Sequence, residues 1–266
     1  MVKQLDFVAY RKLKNIQIDF SQHVNIIAGT NGTCKSSILH LISNSYQKIK
    51  TTSDIVTDAQ AIKVISKINR ILNPKIEGLT RGDEEYNNPA PGVPGTLYKC
   101  TYDNDYELKF RRHNASDNTR FAIKPEYKIG KNDALPMMPV IYLGLFRLFA
   151  FGEFSDDESI KNITQKLPIE IKSELRELYN KFTGYNIEMG VIKNRADFKT
   201  DTKGIDSNTI SAGEDNLFII LLSLVSLKYY FESIHSNNVV ESILLIDEID
   251  ATLHPAFQVK LLALCL

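Results

Sequence analysis

The sequence has no excess of charge of either sign. Its 266 residues include 32 lysines and arginines and 32 aspartates and glutamates, so the net charge at neutral pH is close to zero. A strongly basic chain would indicate nucleic acid as the main partner, and the chain as a whole gives no such indication. If the protein binds nucleic acid, it must do so through a local basic face.

Cysteine is scarce and scattered along the chain. The three cysteines, Cys34, Cys100 and Cys265, stand far apart and form no CxxC pair. This spacing argues against a disulfide framework and against a zinc site, and it favours a reducing compartment. We therefore expect a cytoplasmic protein.

Long apolar runs are also missing. The longest apolar stretch extends from Leu217 to Phe231 and contains two serines and a lysine. A membrane span needs about 20 apolar residues, so this stretch predicts a buried helix and no membrane partner. The first residues enter a strand-like pattern directly, which is not typical of a secretory signal.

The residues that are present predict an α/β protein with a sizeable core, since 43% of them are hydrophobic. Apolar periodicity and turn residues divide the first half into several elements. These are strands at Gln4–Ala9 and Asn15–Phe20, a buried strand at His23–Ala28, a helix at Lys35–Tyr46, helical spacing over 57–72, a loop over 73–96, and a β-meander at Thr96–Tyr102, Tyr106–Arg112 and Arg120–Lys124.

The second half is richer in helical patterns. Its predicted elements are a strand at Pro139–Leu145, a helix over 168–183, a polar loop over 192–208, a helix at Gly213–His235, a buried parallel strand at Glu241–Ile246, and a helix from Pro255 with Phe257, Leu261 and Leu264 on one face. The chain stops inside this last helix, so we expect the natural protein to continue. We predict one domain over 1–266, with one lobe of about 1–145 and 240–266 and a helical lobe of about 146–239.

The most informative segment reads AGTNGTCKSS over residues 28–37. It matches the phosphate-loop pattern G-x-x-x-x-G-K-[ST] at Gly29, Lys35 and Ser36, while Cys34 stands where the second glycine belongs. Backbone N–H groups of such a loop cradle phosphates, the lysine reaches the β- and γ-phosphates, and the serine hydroxyl ligates Mg²⁺. The candidate nucleotide-binding residues are Gly29, Thr30, Asn31, Gly32, Thr33, Cys34, Lys35, Ser36 and Ser37.

A second motif lies far downstream, where the apolar run Ile243–Ile246 is followed by Asp247 and Glu248. This pattern is typical of a Walker B strand. We expect this strand to lie beside the strand that precedes the phosphate loop. Asp247 is the candidate for the Mg²⁺ shell, and Glu248 is the candidate that polarises the attacking water, with Lys35 as the second catalytic group. Together the two motifs predict binding of ATP with Mg²⁺ and its hydrolysis.

A third motif, SAGEDN from residue 211, opens the long predicted helix. Ser211 and Glu214 suit a helix N-cap and first turn, which is one interpretation of the motif. The other interpretation is functional, because Ser211, Gly213 and Glu214 occupy the interval in which ABC and SMC ATPases carry their signature sequence.

The order of these motifs resembles the ABC, SMC and OLD-type ATPases, and three blocks resemble the PtuA family of Septu anti-phage systems in particular. The blocks are Ile26–Gln47, Ser211–Leu217 and Leu244–Pro255. The resemblance implies a P-loop NTPase fold of ABC/SMC type, with a mixed sheet, an antiparallel β-meander subdomain and a helical subdomain. It also implies a head-to-tail homodimer in which Ser211 and Gly213 act on the nucleotide of the other protomer.

The resemblance further implies partners. PtuA-like ATPases assemble with an HNH nuclease, PtuB, and control it through nucleotide. Some occur in retron operons, which adds reverse transcriptase with its msDNA, or another nucleic acid, as a candidate partner. Related ATPases place a basic residue near the nucleotide after the first strand, where Arg11 and Lys12 stand here. A solvated turn explains these two residues equally well, and no glutamine is assigned to the Q-loop.

Three alternatives stay open at this point. The first is an OLD-like nuclease or a DNA-repair ATPase whose nuclease domain lies past residue 266. The second is a transporter ATPase, for which the long interval between Lys35 and Asp247 and the β-meander are atypical. The third is a scaffold that binds ATP without hydrolysing it.

Overall fold

The structure is a computed structural model that describes residues 1–47, 49–63, 88–114, 121–127, 134–145, 168–189, 198–234, 242–251 and 253–265. Over these residues the protein is a mixed α/β protein that divides into two compact units. The described residues of unit 1 are 1–47, 88–114, 121–127 and 134–137, and those of unit 2 are 49–63, 138–145, 168–189, 198–234, 242–251 and 253–265. These two units are groups of residues that pack among themselves. The predicted division into a lobe of 1–145 with 240–266 and a helical lobe of 146–239 stays a prediction.

Unit 1 is built on a five-stranded antiparallel sheet. Its strands, in the spatial order β2-β1-β3-β4-β5, are β1 Val2–Tyr10, β2 Leu13–Asp19, β3 Thr96–Tyr102, β4 Glu107–Asn114 and β5 Phe121–Glu126. The first two strands and the β-meander were both predicted, and both are confirmed. Alternating or clustered apolar residues explain this success, although β2 is exposed along most of its length.

Helix α1 (Lys35–Asn44) lies in unit 1 and follows the phosphate loop as predicted. Its last turn is fastened to the sheet by two hydrogen bonds. Tyr102 Oη donates to the carbonyl oxygen of Ser45 at 2.6 Å, and Asn44 Nδ2 donates to the carbonyl oxygen of Ile123 at 3.2 Å. The sheet therefore fixes the C-terminal end of α1, and its N-terminal end carries the phosphate loop.

The strand predicted at His23–Ala28 is not formed. These residues have no strand assignment, and the side chain of Ile26 is 80% exposed. An apolar run becomes a buried strand only where neighbouring strands pair with it and cover both faces, and the run alone does not supply that pairing. The predicted neighbour relationship between this strand and the one before Asp247 therefore has no counterpart among the described residues.

Unit 2 combines helices with two short ladders. Among the described residues, the helices are α2 Ile169–Thr183, α3 Ala212–Glu232 and α4 Pro255–Cys265, and residues 59–63 of the predicted helical segment are also helical. The strands described are β6 Val140–Leu143, β7 Ile187–Met189, β8 Phe198–Thr200 and β9 Ile243–Ile246. Strands β6 and β9 pair in parallel, while β7 and β8 are antiparallel. The helices, β6 and the buried strand β9 were predicted.

The core of unit 2 forms around α3, which is buried on most of its surface. Tyr179 of α2 packs against Phe198 and Phe218 with ring centroids 5.5 and 5.6 Å apart. This burial explains the long apolar stretch of the sequence. No helix in the described part of the chain is long and apolar enough to cross a bilayer.

One prediction about unit 2 is wrong. The loop predicted over 192–208 contains β8, whose three residues were too few to show an alternation, although Phe198 is buried. Helix α4 extends over Phe257, Leu261 and Leu264 as predicted, and within it Leu261 is buried while Leu264 is 44% exposed. Residues 64–72 of the predicted helical segment, 73–87 of the predicted loop, and residues 192–197, 235 and 241 lie outside the described residues.

Candidate nucleotide-binding site

The phosphate loop enters α1 through two residues with left-handed backbone conformations. Gly32 has φ 77°, and Cys34, the residue before the helix, has φ 68°. Glycine adopts this region without steric cost, whereas a side chain disfavours it. The geometry therefore explains why the standard motif has a glycine where this chain has Cys34.

Polar contacts within the loop hold its shape. Thr33 Oγ1 donates to the carbonyl oxygen of Thr30 at 2.8 Å. Lys35 Nζ donates to the carbonyl oxygens of Gly29 and Thr30 at 2.9 and 3.3 Å. A Cβ at Gly29 would lie 2.9 Å from Thr33 Oγ1, closer than such atoms approach, so a larger residue here would displace the Thr33 side chain.

Two further cations reach the loop from the turn between β1 and β2. Arg11 Nη1 donates to Ser37 Oγ at 2.8 Å, and Ser37 is buried in the first turn of α1. Lys12 Nζ lies 3.4 Å from the place that a Cβ of Gly32 would occupy. Both side chains therefore contact the phosphate loop, and both residues are also exposed to solvent. Their role near a nucleotide stays a prediction.

Arg11 is itself supported from a segment that the sequence did not single out. Its backbone N–H donates to the carbonyl oxygen of Pro89, and its guanidinium lies 5.7 Å from the centre of the Tyr10 ring. Asn88 Oδ1 in turn accepts a hydrogen bond of 2.7 Å from Arg112 Nη1. No local pattern signals the contacts of Pro89 with Arg11 and of Asn88 with Arg112, because they join residues that are distant in the sequence.

Asp247 and Glu248 stand at the carboxyl end of β9 in unit 2. Asp247 is only 4% exposed, and its backbone N–H donates to the carbonyl oxygen of Leu143 at 2.9 Å, which continues the β6–β9 ladder. Tyr142 Oη lies 3.4 Å from Asp247 Oδ2. Glu248 is half-buried and has φ 49°, so the chain turns sharply directly after Asp247.

Ser211 caps α3, as the structural interpretation of its motif predicted. Its Oγ accepts from the backbone N–H of Glu214 at 3.2 Å, and Glu214 Oε2 accepts from the backbone N–H of Ser211 at 3.0 Å. This reciprocal pair is a capping box. Burial raises the pKa of the neighbouring Tyr179, and the charges of Glu214 and Asp215 raise it further. Gly213 lies in the first turn and is half-buried.

The predicted site residues thus fall into two groups. Unit 1 brings together Arg11, Lys12 and the loop Gly29–Ser37, and unit 2 contains Asp247 and Glu248 and, at the start of α3, the signature residues. Their meeting around one nucleotide stays a prediction. Tyr142, Asn88 and Pro89 are neighbours of these groups that sequence reasoning missed.

The donor atoms suit a magnesium ion. The Ser36 hydroxyl in unit 1 and the Asp247 carboxylate in unit 2 are each hard oxygen donors of the kind that Mg²⁺ prefers, and their binding of one common ion stays a prediction. Within the described ranges, no three histidine, cysteine, aspartate or glutamate side chains cluster to form a metal site of another kind. The loop directly precedes the N-terminus of α1 and contains Gly29 and Gly32, an arrangement that suits a phosphate group.

Models of known protein families do not match this chain, and a search of curated proteins finds no significant relative. The functional argument therefore depends on the residues of the two groups themselves.

Proposed function

We propose that the protein binds ATP with Mg²⁺ and hydrolyses it, as a P-loop ATPase of ABC/SMC type. One observation carries this proposal: the side chains of Arg11, Lys12 and Lys35 converge on a glycine loop at the N-terminus of α1. A helix N-terminus with free backbone N–H groups already attracts anions, and three cations around it favour a polyphosphate.

Each residue of the loop has a distinct task in this proposal. The backbone N–H groups before α1 bind the β-phosphate, and Lys35 neutralises the β- and γ-phosphates. The Ser36 hydroxyl and Asp247 would hold a magnesium ion, which would supply positive charge to the phosphates during the reaction. Glu248 orients the attacking water and accepts its proton.

The remaining parts of the proposal follow from the resemblance to PtuA-like ATPases. Two copies associate head to tail, and Ser211 and Gly213 of each copy contact the nucleotide held by the other. Their place at the N-terminus of the 21-residue helix α3 supports this role, because that end carries a positive partial charge. The ATPase would then control an associated HNH nuclease in anti-phage defence.

Binding can be tested by titrating the purified protein with MgATP in a calorimeter. Replacing Lys35 by Met should weaken ATP binding at least 100-fold, since the lysine charge contacts two phosphates. Lys14→Met is the matched control, because Lys14 is exposed on β2. Equal affinity in the two variants, or no ATP binding by the wild type, would overturn the proposal.

Hydrolysis needs a separate experiment. Glu248→Gln should still bind MgATP but release phosphate at least 100-fold more slowly, and it should accumulate as an ATP-bound dimer. Light scattering with and without ATP measures the mass. A scaffold that only binds ATP predicts the same mass and the same absence of turnover for wild type and variant.

A further inference from the structure

We propose that Tyr142 is a positioning residue that orients the carboxylate of Asp247 toward the metal ion. The inference rests on the proposed function, because it assigns a task to a neighbour of the metal-binding acid. Tyr142 Oη lies 3.4 Å from Asp247 Oδ2, and the two residues are 2% and 4% exposed. The tyrosine stands on β6, and nothing in the motifs points to it.

The ladder between β6 and β9 fixes the main chain of Asp247 but not its side chain. Leu143 is in register with Ile246, and the next backbone N–H, that of Asp247, donates to the Leu143 carbonyl oxygen. The carboxylate can still rotate about its side-chain bonds. A contact from outside the backbone must limit that rotation, and the hydroxyl of Tyr142 makes one.

Gly144 supplies the space that this contact needs. A Cβ at Gly144 would lie 3.0 Å from Tyr142 Cε1 and 3.4 Å from Tyr142 Oη. The tyrosine ring therefore lies directly over the backbone of Gly144, on the same face of the strand, two residues away. Since Gly144 does not have a positive φ, the glycine is needed here for space and not for backbone conformation.

The contact is long for an O–H···O hydrogen bond, so its own contribution to stability is small. Its effect is on orientation. The hydroxyl engages one carboxylate oxygen, Oδ2, and leaves the other for the metal ion or for a water bound to it. Partners of this kind commonly change metal affinity because they fix the ligand before the metal arrives.

Tyr142→Phe removes the hydroxyl and leaves the ring in place. Tyr230→Phe is the matched control, since Tyr230 is also a buried tyrosine of unit 2 and lies near Ile49. For each protein, the affinity for a non-hydrolysable ATP analogue is measured with Mn²⁺ and again with a chelator. The ratio of the two affinities reports the contribution of the metal, without any turnover.

We expect this ratio to fall about tenfold in Tyr142→Phe, with the affinity under chelator unchanged, and to stay at the wild-type value in Tyr230→Phe. Gly144→Ala keeps the hydroxyl but displaces the ring, so it should lower the ratio as well. The electron paramagnetic resonance spectrum of bound Mn²⁺ should change in Tyr142→Phe and Gly144→Ala and not in the control.

Two negative results have different meanings. If wild-type protein binds the analogue better with Mn²⁺, and Tyr142→Phe behaves like Tyr230→Phe, the positioning role is wrong and the proposed function stands. If the wild type does not bind the analogue under either condition, the proposed function itself is wrong. Thermal unfolding of each variant confirms that the compared proteins are folded.

Discussion

The phosphate loop and Asp247 both follow a short apolar run, yet the structure supports them in different ways. Before the loop, Ile26 is 80% exposed and the run Val24–Ile27 forms no strand. Before Asp247, Ile243 and Leu245 are buried in β9, which pairs with β6 along its whole length. The loop is held by polar contacts, and the acid is held by a packed ladder.

This difference shows that an apolar run does not determine its own burial. The run before Asp247 has a partner strand and a helical core to cover it, and the run before the loop has neither among the described residues of its unit. A loop held by a few hydrogen bonds can adjust to a ligand, whereas a buried acid is placed in advance.

The strongest test of the comparison removes the same kind of side chain from each region. Leu143→Ala should lower the free energy of unfolding by about 2–5 kcal/mol, because Leu143 is fully buried in the core of unit 2. Ile26→Ala should change it by less than about 0.5 kcal/mol, as expected for an exposed residue. Urea denaturation measures both values.

A large loss in Ile26→Ala would break the comparison. It would mean that Val24–Ile27 packs as the buried strand that the sequence predicts. Helix α1, whose last turn is fastened to the sheet, provides an internal control, because Leu41→Ala should cost as much as Leu143→Ala.

The next test concerns the sheet behind the loop, through Cys100 on β3. Burial raises the pKa of this thiol from 9.0 to about 12. The unfolded chain therefore loses the proton at lower pH than the folded protein does. Stability should be unaffected by this group below pH 9 and should fall by up to about 1.4 kcal/mol per pH unit between 9 and 12.

Denaturation at a series of alkaline pH values measures this slope. Cys100→Val should flatten it, because valine fills the site without ionising. An unchanged slope in the variant would assign the alkaline loss to other groups. In contrast to Cys100, Cys34 is only half-buried at the rim of the loop.

A smaller effect on stability is expected at the start of α3. There, the capping role of Ser211 can be separated from its proposed contact with the nucleotide of the other copy. Ser211→Ala should destabilise the protein by about 1 kcal/mol, since it removes the capping acceptor. Ser211→Asp keeps an acceptor and should be nearly neutral in thermal unfolding. ATP hydrolysis should nevertheless fall in both variants, because both lose the serine hydroxyl. If Ser211→Asp hydrolyses ATP at the wild-type rate, Ser211 serves only to cap the helix.

The smallest effect is expected within the phosphate loop, at Cys34. Cys34→Gly should stabilise the protein by about 0.5 kcal/mol, because relief of the left-handed conformation, about 1–2 kcal/mol, is partly offset by the entropy of glycine in the unfolded chain. Cys34→Val should destabilise it, since a β-branched residue tolerates φ 68° less well. Calorimetric melting of both variants should therefore show opposite shifts.

Local patterns explain what the sequence could predict. Alternating or clustered apolar residues mark the strands of unit 1, and α3 is a long apolar segment preceded by its cap Ser211, so period and capping sufficed. Motif spacing likewise identified Lys35 and Asp247. The contact of Arg11 with Ser37, the support from Pro89 and the approach of Tyr142 to Asp247 depend on pairing between distant segments, which no local pattern encodes.

The two hydrogen bonds that Lys35 makes to the carbonyl oxygens of Gly29 and Thr30 have a thermodynamic consequence. Any anion that enters the loop must compete with the protein's own backbone for this ammonium group. The heat released on binding is therefore the enthalpy of the new contacts less the enthalpy of the hydrogen bonds that Lys35 gives up. A weak calorimetric signal would then be compatible with tight association, and affinity should be judged by a displacement assay as well.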